Sequence, residues 1–451
     1  MKPGFVQALR IALVLCLGSA PLVAQQPLTL RQAIDRALGR NPAAAVARAG
    51  EQDATAAARL ARTQLLPQLN FAEDISRGND PVYVFGTRLR QGLFTQSNFA
   101  LNALNHPTPV GDFVTRLNGS WLAFDSFKTE KQIRGADLAK KSSQSSAQAV
   151  NQKIVLNVVE AYQHVLYAER QVEVARHEQQ TAQALLTSVQ QHVKAGLAVE
   201  SDLMSAQVNL AARKEDLIAA NGGLELAWAQ LRMAMGVENL QPSQLQPIEP
   251  HAFPQTPLDQ ELTLAAKTRP DLTALHQAQQ AQGAAVGAAR SDFGPRVSAY
   301  GNWEEDRPTF AGSGGNNWVA GVQLSLDILP VGKREQLARA EAAKQQIDAQ
   351  RTLAEQQIRF QVSQAHIALE TAALSVDTAQ AATAQAAESL RIVRNRYNAG
   401  LATITDLLRA EDAERESQAN YWRAVYGNAT AYAELLYATG TLTPDAAEGL
   451  Q

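Results

Sequence analysis

Two long stretches of the chain carry apolar or small residues in alternating steps of three and four. In the first stretch they fall at 154, 158, 161, 165, 168, 172, 175, 182, 186, 189 and 193, interrupted only at polar Gln179. This spacing places one apolar stripe along a helix and is typical of a coiled-coil seam. Adding 204 to each position gives a second stripe, from Ile358 to Tyr397. The pattern predicts two long helices with equivalent buried faces.

Each stripe ends at a glycine-leucine step, followed by a second apolar pattern. After Gly196 and Leu197, leucine recurs every seventh residue over 203–231, and Gly400 and Leu401 hold the equivalent place in the second stretch. Glycine tolerates the positive φ of a helix C-terminus, and a leucine beside it can cover the end of the seam. Each stretch is therefore predicted to be an antiparallel helical hairpin.

The ungapped match of 154–236 to 358–440 indicates an internal duplication. Two prolines in front of the hairpins, Pro42 and Pro67, recur as Pro270 and Pro295. The predicted organisation begins with a signal peptide at 1–24 and a first repeat at 25–240, which contains a helix, a strand pair at 68–125 and a long helical hairpin at 127–236. A proline-rich linker at 241–257 is expected to run along the outside of the helices. The second repeat, at 258–440, contains a helix, a strand pair at 295–327 and a long helical hairpin at 331–438, and a C-terminal tail follows at 441–451.

After Pro67 and Pro295 the apolar period changes from that of a helix to two. Residues 113–125, 296–303 and 318–327 alternate apolar and polar positions. Strands of this length with one apolar face can cross a bilayer, and the same alternation also fits a half-buried sheet of a soluble protein. The segments between the strands of each pair, 92–112 and 304–317, are predicted to be exposed loops.

Composition narrows the class of protein. The formal net charge is −3 and 45% of the residues are hydrophobic, which excludes a basic nucleic-acid-binding protein and a disordered acidic tail. Residues 1–24 combine Lys2 and Arg10 with a short apolar run, which predicts a cleavable signal peptide and export. No later segment is apolar enough for a membrane-spanning helix, so insertion into a membrane would require a β-barrel.

No constellation of catalytic residues is present in the sequence. The only cysteine, Cys16, lies within the predicted signal peptide, which leaves no thiolate site or disulfide in the mature chain. The seven histidines form no metal-binding pair with carboxylates, and neither a phosphate-binding glycine loop nor a nucleophile elbow occurs. The sequence predicts a protein that is not an enzyme and has no cofactor or metal site.

The four predicted strands cannot close on themselves, and an open edge in lipid would leave backbone groups unpaired, so several chains must share one barrel. The order of elements, the Asn41-Pro42 and Pro67 pattern, the segment 81–89 and the glycine-leucine turns together resemble the TolC family of outer-membrane efflux proteins. The resemblance implies an α+β membrane protein with two structural repeats per chain: a trimeric 12-stranded β-barrel continued by a long α-helical barrel.

The resemblance also implies a function and a location. It suggests a passive exit duct of a tripartite efflux or type I secretion system, in the outer membrane of a Gram-negative bacterium and extending into the periplasm. The expected partners are two further copies of the chain, outer-membrane lipid, a periplasmic adaptor protein and, indirectly, an inner-membrane pump. Two other interpretations are a periplasmic or secreted coiled-coil structural protein and a surface receptor.

By the same resemblance, Asp202, Asp406 and Tyr397 form a periplasmic gate. Acids just after the turns can equally serve as helix caps, and the two roles are compatible. The arginine that the family carries two residues after the glycine-leucine step is replaced by Ala402. The charged residues close enough in sequence to substitute for it are Lys194, Arg394, Arg396, Arg409 and Glu411.

The four turn residues also have two interpretations. Gly196, Leu197, Gly400 and Leu401 are explained most simply as turn formers. The resemblance implies that the same tips dock onto the adaptor protein, which an apolar leucine far from any core supports.

Overall fold

The computed structural model describes residues 27–238, 245–247 and 252–450. The predicted signal peptide and part of the predicted linker lie outside these residues. The helices are α1 Leu30–Arg40, α2 Pro42–Thr63, α3 Pro81–Arg90, α4 Leu101–Asn105, α5 Lys128–Lys194, α6 Glu200–Met235, α7 Leu258–Thr268, α8 Pro270–Ser291, α9 Lys333–Asn398, α10 Ile404–Ala438 and α11 Pro444–Glu448. The strands are β1 Gln68–Gly78, β2 Val110–Phe124, β3 Arg296–Arg307 and β4 Gly315–Ser325. None of the helices in the described ranges has both the length and the apolar composition to cross a bilayer.

The chain forms two compact units, and each unit takes segments from both halves of the sequence. Of the described residues, the first contains 27–45, 150–238, 245–247, 252–269 and 358–450, and the second contains 46–149 and 270–357. The units therefore do not coincide with the two sequence repeats.

In the first unit, the stripe predicted on the first hairpin is buried. Ile154, Val158, Val165 and Val189 are at most 3% exposed. Tyr162, between two of these positions, is also fully buried, and its hydroxyl donates to the carbonyl of Leu28 at 2.7 Å. The heptad spacing thus identified the core-facing side of α5 correctly.

The second stripe is covered less completely. Its residues are buried from Ile358 to Leu369 and half-buried from Ala372 to Tyr397. Small side chains on this part of α9 leave a groove of about 1060 Å³ between α9 and α10. The seam is therefore in the predicted place, but its small residues do not fill the space between the two helices.

The predicted linker was expected to run along the outside of the helices, and most of its described residues are exposed, with Leu245 as the buried exception. Leu245 forms a parallel bridge with Leu28, and both side chains belong to the main apolar cluster of the first unit. Leu245 is 1% exposed. An apolar residue between the prolines anchors the segment because its burial is favourable.

Near the start of each half, a helix is interrupted in front of a proline, and the residue at the interruption packs against a glycine. The helix breaks between α1 and α2 at Asn41, whose amide Nδ2 donates to the carbonyl of Ala234 at 2.8 Å. Gly236, two residues after Ala234, has φ 66°, and a Cβ there would lie 2.6 Å from the Asn41 Cα. Gly440 and Arg269 repeat this arrangement in the second half, with a corresponding distance of 2.8 Å.

In the second unit the four strands form one antiparallel sheet in the order β1-β2-β3-β4. The register pairs Asn70 with Asn118 and Asn118 with Asn302, so polar residues share one face. The other face exposes large apolar side chains: Leu69, Phe71, Ile75, Trp318, Val322 and Leu324. The period of two predicted this division correctly.

The loop predicted at 304–317 is shorter in the structure. β3 continues to Arg307 and β4 begins at Gly315, which leaves 308–314 as the connection. The guanidinium of Arg307 donates to Glu73 at 2.8 Å and to Thr115 at 2.6 Å. These cross-strand bonds extend the sheet over positions that were predicted to be a loop.

The prediction of an irregular loop at 92–112 is also wrong in part. The segment contains a 3₁₀ turn at Gln96–Phe99 and α4, and its last residues belong to β2. It follows α3, a helix that was not predicted from the sequence. The rings of Phe85, Phe94 and Phe99 meet edge to face and give the segment a small core of its own.

Candidate functional site

The two hairpin turns have the same backbone geometry. Gly196 and Gly400 adopt φ angles of 76° and 74°. The amide of Leu197 donates to the carbonyl of His192, and that of Leu401 to the carbonyl of Arg396, each at 2.8 Å. These are the bonds of a Schellman motif, which explains the glycine at both turns.

The leucines of these turns do not cover the seams. Leu197 is 77% exposed and Leu401 is 69% exposed. The interpretation that each leucine closes the end of its seam is therefore wrong, because the helix end turns the side chain outward. Two exposed apolar side chains remain at the tips.

Asp406 caps the helix that follows the second turn. Its carboxylate accepts hydrogen bonds from the backbone amide of Thr403 at 3.0 Å and from the hydroxyl at 2.7 Å, and the Thr403 hydroxyl accepts from the Asp406 amide. This is a complete capping box. The hydrogen bond from the Thr403 side chain lowers the pKa of Asp406 below its usual value.

Asp202 has a different environment, although its position after the turn is equivalent. The N-cap of α6 is Val199, whose side chain makes no capping bond. Tyr397 lies nearby, half-buried against a cluster that includes Leu186, Leu210 and Ile404. Burial raises the pKa of Tyr397, and the charge of Asp202 raises it further. Of the three candidate gate residues, Asp202 and Tyr397 lie near enough, across the two hairpins, for the charge of Asp202 to act on the phenol of Tyr397.

The charged residues near Ala402 are engaged in different contacts. Arg394 pairs with Glu411 at 3.2 Å, and burial raises the pKa of Glu411 although Arg394 opposes this. Arg396 donates to the carbonyl of Leu401 at 3.3 Å. The pair formed by Arg394 and Glu411 therefore links α9 to α10 near the second turn.

An ion pair between the hairpins was not anticipated from the sequence. Arg213 on α6 contacts Asp412 on α10 at 2.9 Å and Asp216 on its own helix at 2.8 Å. The sequence signal lies in the comparison of the repeats, because Arg213 and Asp412 correspond to uncharged Ser417 and Val208 at the 204-residue offset. Opposite charges that appear at non-equivalent places of a duplication can pair between the copies.

A family model described as outer membrane efflux protein matches residues 33–237 and 262–441, the greater part of the chain. The chain belongs to the outer membrane efflux protein family. The members of this family are channel proteins of the Gram-negative outer membrane that extend into the periplasm, and this is the location of the chain.

Individual relatives of this outer membrane efflux protein are distant. The alkaline protease secretion protein AprF of Pseudomonas aeruginosa is 24% identical over 65% of the chain and 62% of its own length. Protein CyaE of Bordetella pertussis is 26% identical over 65% of the chain and 63% of its own length. The matches therefore span less than two thirds of these two relatives.

The fold agrees with that of a solved channel. The crystal structure of CusC, described in connection with transmembrane channel formation, superposes with a TM-score of 0.78 at 20% identity, and covers 91% of this chain and 92% of CusC. The efflux protein therefore has the fold of this class of channel, in which a β-barrel is combined with a long α-helical barrel.

Proposed function

We propose that this chain is a passive outer-membrane exit duct of a tripartite efflux or type I secretion system. It would conduct substrates delivered by a periplasmic adaptor and an inner-membrane pump, and would catalyse no reaction. The observation that carries the proposal is a match to the efflux family in both halves of the chain, combined with a sheet that is apolar and exposed on one face and polar on the other.

The proposed assembly is a homotrimer. In one chain β1 and β4 are the edges of the sheet. Unpaired edges are excluded from lipid, and three chains would supply twelve strands for closure. We further propose that the chain consists of two repeats, at 25–240 and 258–440, joined by the linker 241–257. The exposed apolar face disfavours a soluble coiled-coil protein.

The function is tested by recording from the purified protein in planar lipid bilayers. We expect stable conducting pores without any nucleotide or added protein, because a passive duct needs neither. Receptors and structural proteins are not expected to conduct. If neither the folded, membrane-inserted protein nor its Arg213→Ala variant conducted, the proposed function would be wrong.

We propose that Asp202, Asp406 and Tyr397 form the periplasmic gate. In a trimer the two acids of each chain would place six carboxylates at the mouth, where they would attract cations. The proximity of Asp202 to Tyr397 supports the proposal. The capping bonds of Asp406 give this residue a second, structural role.

The gate predicts different outcomes for the two acids. Asp202→Asn is expected to weaken the block of single-channel current by trivalent cations and leave the melting temperature unchanged, because Asp202 forms no cap. Asp406→Asn is expected to weaken the block and also to lower the melting temperature. Unchanged block in the Asp202 variant would argue against its place in the gate.

We propose that Gly196, Leu197, Gly400 and Leu401 form the docking tips for the adaptor. The double change Leu197→Ser and Leu401→Ser is expected to abolish in-cell cross-linking to the periplasmic adaptor without unfolding the channel, since both side chains are exposed. The matched control is Val208→Ser with Ile218→Ser, two equally exposed positions on α6. Retained cross-linking in the leucine variant would contradict tip docking.

A further inference from the structure

The segment between β1 and β2 folds back over the sheet. Its helix α3 contacts β2, β3 and β4. At the start of the helix the hydroxyl groups of Tyr83 and Ser76 on β1 are 2.8 Å apart. Just after its end, the amide of Gln91 donates to Asp112 on β2 at 2.9 Å, and both side chains are buried. The helix thus begins over one edge strand and crosses the others.

These contacts lie on the polar face of the sheet. Ser76 and Asp112 are register partners on the face that carries Asn118. Glu304, on the same face of β3, lies 4.0 Å from Arg90 at the end of α3. In a closed barrel the apolar face meets lipid and the polar face lines the interior. The helix therefore lies on the inner wall.

The sheet has glycines where the helix passes closest. A Cβ on Gly315 of β4 would lie 1.9 Å from the carbonyl oxygen of Arg90. A Cβ on Gly78 of β1 would lie 3.2 Å from the ring of Tyr83. Larger residues at Gly315 are incompatible with the observed seat of the helix, so the two edge strands are shaped to accept it.

The dimensions match those of the sheet. Four strands about 4.8 Å apart span about 14 Å, and a ten-residue helix is about 15 Å long. A twelve-stranded barrel tilted by about 40° has a backbone diameter of about 24 Å, whereas a helix with its side chains is about 10 Å across. Three such helices would fill much of the cross-section of the barrel.

We propose that α3 of each chain narrows the outer mouth of the pore and sets the size limit on what leaves. The inference rests on the trimeric duct proposed above. The mouth in question is the end of the sheet opposite to the strand ends from which α5 and α9 continue. The connection between β3 and β4, residues 308–314, is short and carries no such helix.

The part of the sheet on which α3 packs also contains a buried carboxylate. Asp306 pairs in register with Gly315, is fully buried, and has no hydrogen-bond partner for either carboxylate oxygen within the described part of the chain. Burial of an unpaired carboxylate costs free energy. The polar contacts that hold α3 in place are therefore opposed by the unfavourable burial of this carboxylate.

The test compares single-channel conductance of variants in planar bilayers. Residues 79–109 are replaced by Asn-Gly, since Gly78 and Val110 face each other and a two-residue turn can join them. We expect the conductance of the open state, recorded in the Arg213→Ala background so that the periplasmic gate is not limiting, to rise about twofold or more, because the outer mouth is widened. Gly315→Ala should raise it in the same direction by displacing α3, whereas Gly301→Ala, whose Cβ would meet its nearest atom at 3.8 Å, should not.

A further variant is expected to change the conductance in the opposite direction. Asp306→Asn removes the buried charge and is expected to lower conductance by holding α3 more firmly. If the deletion and Gly315→Ala both conducted like the Arg213→Ala parent channel, the size limit would lie elsewhere and this inference would be overturned. If neither the wild-type protein nor the Arg213→Ala parent formed a pore, the proposed function would instead be overturned, and the inference with it.

Discussion

Replacing Arg213 with alanine is expected to raise the open probability of the pore about tenfold. The substitution removes an ion pair between the two hairpins of a chain, which we expect to be broken when the pore opens. The side chain of Arg213 is 11% exposed, and its guanidinium contacts Asp412 on α10 at 2.9 Å. A hydrogen bond between charged groups contributes about 1.5–3 kcal/mol, and the exposure of Asp412 places this pair at the lower end. About 1.4 kcal/mol changes an equilibrium tenfold.

The matched control is Arg391→Ala. Arg391 pairs with Glu388 on its own helix and is largely exposed, so it cannot join the hairpins. Asp412→Ala should reproduce the effect of Arg213→Ala, because it breaks the same contact. Open probabilities in bilayer recordings that do not distinguish Arg213→Ala from the control would show that this pair does not hold the pore closed.

Replacing Gly236 with alanine is expected to destabilise the fold by about 2–4 kcal/mol, through a strained backbone and an overpacked contact. The residue has φ 66°, and its new Cβ would lie 2.6 Å from the Cα and 3.0 Å from the nitrogen of Asn41. Both are backbone atoms, which cannot move aside without shifting the break between α1 and α2. Gly440→Ala should act in the same way at Arg269.

The control for this prediction is Gly222→Ala, in the interior of α6. Apart from its chain neighbours and the adjacent backbone of α6, no atom of the described residues lies within 4 Å of a Cβ at that position. Alanine there should stabilise the helix by up to about 1 kcal/mol. Thermal unfolding followed by circular dichroism should place the Gly236 variant below the wild type and the Gly222 variant at or above it. The reverse order would mean that the packing of the break contributes little.

Elements with a strong local period could be predicted from the sequence. The seam on α5 and the alternating strands follow from side chains three, four or two positions apart, and the duplication added a second instance of each. The positive φ at Gly196 and Gly400 likewise follows from the local pattern, since a glycine directly ends each apolar stripe.

Features that depend on distant partners could not be predicted. Nothing near Gly236 in the sequence indicates that Asn41 packs on it, and Arg213 meets an acid 199 residues away. The different environments of Asp202 and Asp406 depend on one residue, because the side chain of Thr403 can cap a helix and that of Val199 cannot. Helix α3 had a signal that was missed: Asp80 and Pro81 form an N-cap and a first helical position.

Three chains are proposed to share one barrel, and the number of chains per particle tests this most directly. Light scattering of the detergent-solubilised protein, corrected for bound detergent, measures this number. We expect three chains, because the edges β1 and β4 of each sheet need partners in lipid. A folded monomer or dimer extracted from the outer membrane would contradict it.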